Sequence, residues 1–335
     1  MIERPYLLFL GDVPDALAAK TAAGIVDWRR DSCVGQLRLD GCKADLGLPD
    51  MTIADAHAAG ARTMIVGAVN AGGRLPDHWV ASIVEAIEAG LDIASGLHVR
   101  LAAFDEIRNA AGRHGVRLHD VRHADREFAT GKGTPRSGHR LLTVGTDCSV
   151  GKKYAALAIE KALRERGLDA EFRATGQTGI LIAGDGVAID AVAADFISGA
   201  VEWIAPEADP DHWDIIEGQG SLFHPSFAGV SLGLLHGAQP DAFIVCHEPT
   251  RKTMRGVTAP LPSIDDVVDM TMRLGRLTNP QIRPVGLAVN TAALPEDEAR
   301  ALLQEYWRSY GLPAGDPVRF GMASVADHIV SRFRP

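Results

Sequence analysis

One segment limits the fold of this 335-residue chain more than any other. A mostly apolar run, Arg140–Val144, precedes a loop bounded by Gly145 and Gly151, and an alanine-rich segment follows. A strand, a turn and a helix in this order leave backbone N–H groups free at the helix start, where the helix dipole favours anions. The segment therefore predicts a P-loop α/β domain that binds phosphate groups. The predicted binding residues are Gly145, Thr146, Asp147, Cys148, Ser149, Val150, Gly151, Lys152, Lys153 and Tyr154.

This loop departs from the usual P-loop pattern in two ways. Five residues separate Gly145 from Gly151, whereas the usual pattern has about four. The residue after Lys152 is Lys153, where a serine or threonine normally holds magnesium. A second lysine can neutralise phosphate charge directly, which suits a diphosphate or 3′-phosphate that is held but never transferred. Equally, Lys153 can point into solvent, as most helix lysines do.

Charge and composition narrow the classes of function. A net charge of −9 repels polyanions and no basic run offsets it, so nucleic acid is not an expected partner. The first residues lack a charged leader before an apolar core, and no apolar stretch nears the ~20 residues of a membrane span. We therefore expect a cytoplasmic protein with no membrane partner. The four cysteines show no CxxC spacing, which favours reduced thiols, and no metal ligand is assigned.

Apolar runs alternate with helical patterns along the chain, which is typical of parallel sheets covered by helices. We predict an amino-terminal Rossmann-like domain over residues 1–125, a linker over 126–139, where apolar periodicity is lost, and a P-loop NTPase-like parallel-sheet domain over 140–335. The first domain has predicted strands at 6–10, 63–68, 91–94 and 116–121, and helices at 53–59, 79–89 and 103–113. The second has predicted strands at 141–144, 170–174, 214–217, 242–246 and 284–289, and helices at 152–166, 187–198, 227–236, 264–274 and 296–310.

Four segments of the second half resemble dethiobiotin synthetase and its P-loop relatives. The loop Gly145–Lys152 is similar to theirs, including the extra residue. Glu217–Gly220 resembles their Glu-Gly-x-Gly turn after a central strand, and Arg173–Gly179 resembles their substrate-side loop. Gly286–Asn290 resembles a strand end in these enzymes, and the resemblance implies that Asn290 reads the adenine base.

A closer resemblance covers nearly the whole chain. The stretches that carry it include Gly67–Gly73, Ser95–His98, Thr175–Ile180, Asp190–Glu202 and Glu217–Ser226. They are similar to a two-domain bacterial family that joins a Rossmann-like domain to a P-loop domain. Members of this family are D-glutamate (D-amino acid) N-acetyltransferases that use acetyl-CoA, and the resemblance implies the same activity and acyl donor here. We expect a small-molecule substrate and a homo-oligomer.

Three residues are candidates for catalysis of acetyl transfer, which requires that the acceptor ammonium lose a proton. Glu217 follows a predicted strand, and open α/β sheets bind their ligands at the carboxyl ends of the strands. Glu217 is therefore the first candidate for the general base. Its alternative roles are a magnesium ligand or a cap of the following turn. His224 is a second candidate, although a single histidine is more often a structural donor. Asp195 and Asp190 lie in or beside an alanine-rich helix, where contact with the acceptor amino group or with magnesium and a plain surface or cap carboxylate are equally good explanations.

Recognition of an acidic acceptor predicts a further set of residues. Polar side chains between glycines, as at Gln177 and Thr178, can bind a carboxylate together with backbone N–H groups. Arginine is the usual partner of a carboxylate, and Arg173, Arg251 and Arg255 are available, each also explicable as a surface residue. The predicted substrate-binding set is Gln177, Thr178, Gly179, Asn70, His98 and Arg251.

Two other functions remain compatible with the phosphate loop. One is an ATP-dependent ligase or kinase of the dethiobiotin-synthetase type, which would bind ATP with magnesium. The other is a nucleotide-sensing protein without chemistry, which would need only the loop. The convergence of Glu217, His224 and the Gln177–Thr178 pair on predicted strand ends favours an enzyme, and Lys153 disfavours magnesium-dependent phosphoryl transfer.

Overall fold

The computed structural model describes residues 1–16, 18–68, 75–124 and 126–333. The chain folds as two compact units. Unit 1 contains residues 1–126 and 176–191, and unit 2 contains residues 127–175 and 192–335. None of the helices in the described ranges is both long enough and apolar enough to cross a membrane.

Unit 1 is a five-stranded parallel sheet with helices between its strands. The strands follow the order β2-β1-β3-β4-β5. Their bounds are β1 (Tyr6–Gly11), β2 (Cys33–Arg38), β3 (Thr63–Val66), β4 (Asp92–Ser95) and β5 (Leu118–Asp120). The helices are α1 (Lys20–Arg29), α2 (Ile53–Ala58), α3 (Val80–Glu88) and α4 (Asp105–His114). Strand β1 is completely buried, as expected for a central strand covered on both faces.

Unit 2 is a six-stranded parallel sheet with the order β11-β10-β9-β6-β8-β7. The strands are β6 (His139–Gly145), β7 (Ala170–Arg173), β8 (Trp213–Ile216), β9 (Ala242–His247), β10 (Arg283–Val289) and β11 (Ala314–Gly315). The helices are α5 (Lys152–Arg164), α7 (Ile197–Ile204), α8 (Ala228–Ala238), α9 (Ile264–Gly275), α10 (Glu296–Tyr310) and α11 (Ala323–Phe333). Because β6 lies between β8 and β9, the phosphate loop that follows β6 lies beside the ends of both neighbouring strands.

A short helix, α6 (Gln177–Ala183), belongs to unit 1 although its neighbours in sequence belong to unit 2. The backbone N–H of Ile2 donates to the Gly184 carbonyl at 2.7 Å, and Arg4 Nη2 donates to the Ala183 carbonyl at 2.9 Å. Helix α6 also packs against α1. The amino terminus of the chain therefore holds this returning segment in unit 1.

The predicted helix over 187–198 is wrong. Two 3₁₀ turns, Ile189–Ala191 and Ala194–Phe196, precede α7 instead. The chain passes from unit 1 to unit 2 after Ala191, so the boundary between the units falls between the two turns. The sequence analysis also did not predict α1, β2, α6, most of α7, β11 and α11.

The segment that the sequence predicted as a linker, 126–139, makes extensive contacts within unit 2. The Arg136 guanidinium donates to the carbonyls of Ala205 and Gly237, which lie at the ends of α7 and α8. The Glu202 carboxylate accepts the backbone N–H groups of Lys132 and Gly133, at 2.9 and 2.8 Å. Carbonyl groups at helix ends lack intrahelical partners, so Arg136 satisfies groups that would otherwise be left unpaired.

Candidate functional site at the phosphate loop

The phosphate loop, Gly145–Lys152, joins the end of β6 to the start of α5. Two residues adopt left-handed backbone conformations, Ser149 with φ 56° and Gly151 with φ 106°. Only glycine adopts the second value without strain, which explains the glycine immediately before Lys152. The helix start is therefore reached by a tight turn, as predicted from the strand–loop–helix pattern.

Lys152 is buried within the loop that it follows. Its side chain is 6% exposed, and Nζ donates to the carbonyl of Asp147 at 2.7 Å. Burial lowers the pKa of this ammonium group. Among the residues that the structure describes, no carboxylate forms a salt bridge with Lys152. A buried cation whose partner is a neutral carbonyl is suited to bind an anion delivered by a ligand.

Asp147 anchors the loop to the segment after β9. Its side chain is fully buried, and Oδ2 accepts hydrogen bonds from Arg251 Nη1 at 2.8 Å and from the Arg255 backbone N–H at 2.7 Å. Oδ1 accepts from the Cys148 N–H at 2.7 Å. Burial alone would raise the pKa of Asp147, but the hydrogen bonds from Arg251, Arg255 and Cys148 hold it below its usual value. The carboxylate therefore stabilises the loop conformation.

Arg251, predicted to bind substrate, lies against the phosphate loop. Besides Asp147, its guanidinium donates to the Cys148 carbonyl at 2.8 Å and forms a salt bridge with Glu248. These contacts explain how the loop keeps its shape, and a role of Arg251 toward substrate stays a prediction. Arg173 forms salt bridges with Glu171 and Asp214. It ends β7, which lies on the other side of β6 from β9 in the sheet.

Glu217 follows β8, which is paired with the phosphate-loop strand β6. The carboxylate is 5% exposed, and Oε2 accepts the backbone N–H of Thr175 at 3.1 Å. Thr175 Oγ1 donates to the Glu217 carbonyl at 2.6 Å. Two contacts to one residue fix both the backbone and the side chain of Glu217 at the end of its strand. This position is the one that the sequence predicted, on a strand adjacent to the loop.

Gly218 shows how closely the Glu217 turn approaches β6. A Cβ atom on Gly218 would lie 1.6 Å from the Thr143 carbonyl oxygen and 3.0 Å from Lys152 Cδ. The Gly218 N–H donates to Thr143 Oγ1 at 2.9 Å. Only glycine fits between the strand and the lysine stem, so the turn after β8 and the phosphate loop form one packed arrangement.

His224 uses both ring nitrogens in hydrogen bonds. The Ser226 backbone N–H donates to Nδ1 at 3.2 Å, and Nε2 donates to the Arg255 carbonyl at 2.9 Å. The ring is 1% exposed and stacks on Phe227 with 4.5 Å between ring centroids. This geometry suits a structural donor, which was the alternative to catalysis for His224. Its role in proton transfer stays an untested prediction.

Cys148 lies beside two other groups that can bind metals. The ligand atoms of Asp147, Cys148 and His224 are within 4.8 Å of one another. The hydrogen bonds already made by Asp147 and His224 occupy the atoms that would coordinate an ion. Burial, followed by the charge of Asp147, raises the pKa of the Cys148 thiol. The thiol is therefore not activated by the helix start, and it packs as an ordinary half-buried side chain.

His247 is a site residue that the sequence analysis missed. It ends β9, and its Nδ1 lies 3.1 Å from Thr146 Oγ1. Burial, with a smaller contribution from Arg251, lowers the pKa of His247 to about 4. Thr143 was missed as well, although a threonine within an otherwise apolar strand signals a buried polar role. Such a signal does not identify the partner, because the partner, the Gly218 N–H, lies in the turn after another strand.

The other predicted site residues are distributed over both units. In unit 1, Gln177, Thr178 and Gly179 form the first turn of α6, whereas the sequence suggested a loop. His98 is exposed, and its carbonyl accepts from His123. Asn70 lies outside the described residues. In unit 2, Asp195 is exposed in a 3₁₀ turn, and Asn290 Oδ1 accepts the Ala292 N–H at 3.2 Å just after β10. Their roles toward ligands stay predictions.

Comparison with protein families assigns both halves of the chain. A family described as a domain of unknown function, DUF1611, matches through its P-loop domain at residues 127–326 and through its Rossmann-like domain at residues 37–124. The chain belongs to the DUF1611 family. The predicted fold class, a Rossmann-like domain followed by a P-loop domain, is confirmed. A crystal structure of a DUF1611 protein from Anabaena variabilis is similar over 98% of this chain and 100% of its own, with a TM-score of 0.83 and 27% identity.

Two relatives of this DUF1611 chain carry a functional name. D-glutamate N-acetyltransferase from Pseudoalteromonas sp. is 49% identical over 329 residues, covering 98% of this chain and 99% of the relative. D-glutamate N-acetyltransferase from Tritonibacter scottomollicae is 51% identical over 332 residues, covering 99% and 100%. The predicted family is confirmed by both matches.

Proposed function

We propose that this protein is a D-glutamate N-acetyltransferase that uses acetyl-CoA as acyl donor. One observation carries the proposal: about half of all residues are identical, over nearly the full length, to two proteins named for that activity. The matches cover 98–99% of this chain and 99–100% of the two relatives. An N-acetyltransferase is an enzyme, whereas a nucleotide sensor would bind its ligand without carrying out any chemistry.

The phosphate loop supports binding of a CoA diphosphate. Lys152 supplies a buried positive charge, and the backbone N–H groups at the start of α5 lie beside it. Lys153 replaces the usual magnesium ligand, and its Nζ lies over the Tyr154 ring at 4.5 Å from the centroid. The donor set is thus cationic and backbone-based, which fits a diphosphate that is bound without being cleaved. When bound, acetyl-CoA supplies an acetyl group as a thioester.

We infer that Glu217 accepts a proton from the acceptor ammonium. A free amine is needed for attack on a thioester, so a carboxylate at the edge of the sheet contributes general-base catalysis. Thr175 holds Glu217 by two hydrogen bonds, which fixes its position relative to the phosphate loop within unit 2. The low exposure of the carboxylate limits competition from water for its proton-accepting oxygen.

An assay of the purified protein tests this proposal. Acetyl-CoA is mixed with D-glutamate or L-glutamate, free thiol is measured over time, and the N-acetylated product is identified by mass spectrometry. We expect thiol release and N-acetyl-D-glutamate in a one-to-one ratio, with a slower rate for the L-enantiomer. Absence of thiol release with any acidic amino acid, together with magnesium-dependent ATP hydrolysis, would replace the proposal with an ATP-dependent ligase or kinase.

A further inference from the structure

An open basin of about 610 Å³ adjoins the phosphate loop in unit 2. Ser149 belongs to both the loop and the basin wall, so the two are continuous. The remaining wall is formed by the segment after β9, including Arg251, Thr253, Arg255 and Thr258. No acidic residue lines the basin within the described part of the chain. The basin therefore extends the cationic surface of the loop to one side.

The two arginines of the basin differ in how their charges are balanced. Arg251 forms salt bridges with Asp147 and Glu248, so its charge is compensated. Arg255 Nη1 donates to Ser149 Oγ at 2.6 Å, and over the described ranges its guanidinium forms no salt bridge with a carboxylate. Arg255 is also exposed. The basin thus carries one positive charge that is accessible and not neutralised by the protein.

Two buried groups hold the backbone of Arg255 in place. Asp147, fully buried, accepts its N–H at 2.7 Å, and His224, 1% exposed, donates to its carbonyl at 2.9 Å. The Met254 N–H donates to the Ala259 carbonyl at 2.9 Å and closes the loop that follows. An arginine on a fixed backbone loses less entropy on binding an anion than one on a free loop. His224 therefore acts as a positioning residue for Arg255.

We propose that the basin is a second anion subsite beside the diphosphate-binding loop, and that Arg255 there binds the ribose 3′-phosphate of CoA. This inference rests on the proposed use of acetyl-CoA. CoA carries two anionic centres, a diphosphate and a ribose 3′-phosphate, whereas ATP carries a single polyphosphate chain. The phosphate loop can bind the diphosphate and the adjoining Arg255 can bind the 3′-phosphate, so the site matches a ligand with two anionic centres. The subsite gives the protein a way to select CoA over ATP and over 3′-dephospho-CoA.

Calorimetric binding of CoA and 3′-dephospho-CoA to the full-length protein tests this subsite. We expect the wild-type protein to bind CoA about 10- to 100-fold more tightly, the range for a charge-assisted hydrogen bond. Arg255→Gln should remove this preference while leaving the affinity for 3′-dephospho-CoA nearly unchanged. Arg255→Lys, which keeps the charge but not the fork of donors, should retain part of it. Lys252→Gln, an exposed neighbour outside the basin, should keep the full preference.

Each outcome separates the subsite from the activity. Equal affinities in the wild-type protein, or a preference that survives in Arg255→Gln, would overturn the subsite even if acetyl transfer to D-glutamate is observed. A preference for CoA that Arg255→Gln removes, in a protein that transfers no acetyl group to any acceptor, would support the subsite and overturn the proposed reaction. Loss of the preference in Lys252→Gln as well would mean a general effect of charge and would overturn the assignment to Arg255.

Discussion

Asp147 Oδ2 and Arg251 Nη1 lie 2.8 Å apart and connect the phosphate loop to the segment after β9. The carboxylate is fully buried and the guanidinium is largely buried, and the two residues are 104 positions apart in the sequence. The same carboxylate oxygen accepts the Arg255 N–H, so one buried charge fixes both the loop and the arginine proposed to bind a 3′-phosphate. The loop conformation should therefore be sensitive to the charge of Asp147.

Asp147→Asn should lower the free energy of unfolding by about 3 kcal/mol. Arg251 keeps its salt bridge with Glu248, so the loss comes from the buried side chain: an amide at position 147 removes the salt bridge with Arg251 and turns an N–H group toward the donors of Arg251 or Arg255. Urea denaturation at neutral pH measures the effect. Asp269→Asn, at an exposed position on α9, is the matched control and should change stability by less than about 0.5 kcal/mol. Equal stabilities of the two variants would contradict a stabilising role for Asp147.

Lys152→Ala should weaken CoA binding by about 1.5–3 kcal/mol, the range for a hydrogen bond to a charged group, without unfolding the protein. The lysine is buried at the start of α5, and its described hydrogen-bond partner is a backbone carbonyl, so its charge serves the ligand. Titration calorimetry gives the affinity, and circular dichroism checks the fold. Lys161→Ala, on the exposed side of the same helix, should bind as the wild type does. An unchanged affinity of Lys152→Ala would refute the assignment of the phosphate loop.

Chelation of divalent metals should leave CoA binding unchanged. Lys153 occupies the position of the usual magnesium-binding hydroxyl, so a ligand diphosphate is neutralised by cationic side chains and backbone N–H groups instead. The same calorimetric titration with EDTA and then with excess magnesium gives the two affinities. A requirement for magnesium that EDTA reveals and added metal restores would favour an ATP-dependent enzyme.

Stability should fall between about pH 6.5 and pH 4 through His247. Its pKa is lowered from 6.5 to about 4, chiefly by burial, so the unfolded chain binds more protons than the native protein in this range. Stability is therefore gained as the pH rises through the window and lost as it falls, by up to about 3.5 kcal/mol at about 1.4 kcal/mol per unit. His247→Asn keeps a polar group near Thr146 but does not titrate. Parallel stability–pH curves for variant and wild type would rule out this contribution.

Most strands of both sheets follow from sequence because buried parallel strands are short apolar runs between turn residues. Strand β2 was missed because it is an edge strand whose residues are mostly half-buried, and its sequence Cys-Val-Gly-Gln-Leu-Arg shows no apolar run. Helix α6 was missed because Gly179 disfavours a helix locally, and packing in unit 1 overrides that preference.

The site was predictable where local sequence determines it and not where distant segments meet. The phosphate loop and the position of Glu217 depend on short motifs. In the structure, both lie at the carboxyl ends of the neighbouring strands β6 and β8. The hydrogen bonds of Asp147, His224 and Arg255 join segments far apart in the sequence. No residue pattern within a single segment specifies such contacts, so the contact of His224 with the Arg255 carbonyl could not be predicted from the sequence.

Acetyl transfer to D-glutamate with Glu217 as general base is tested most directly by the rate of thiol release of Glu217→Gln, measured beside the wild type. Glutamine keeps the shape and can still accept from the Thr175 N–H, but it does not accept a proton. We predict that kcat falls by about 10²–10⁴ while the affinity for CoA stays near that of the wild type, and that Glu305→Gln, an exposed control on α10, is fully active. Thiol release at the wild-type rate by Glu217→Gln would contradict the role of Glu217, and its absence from the wild-type protein would contradict the reaction itself.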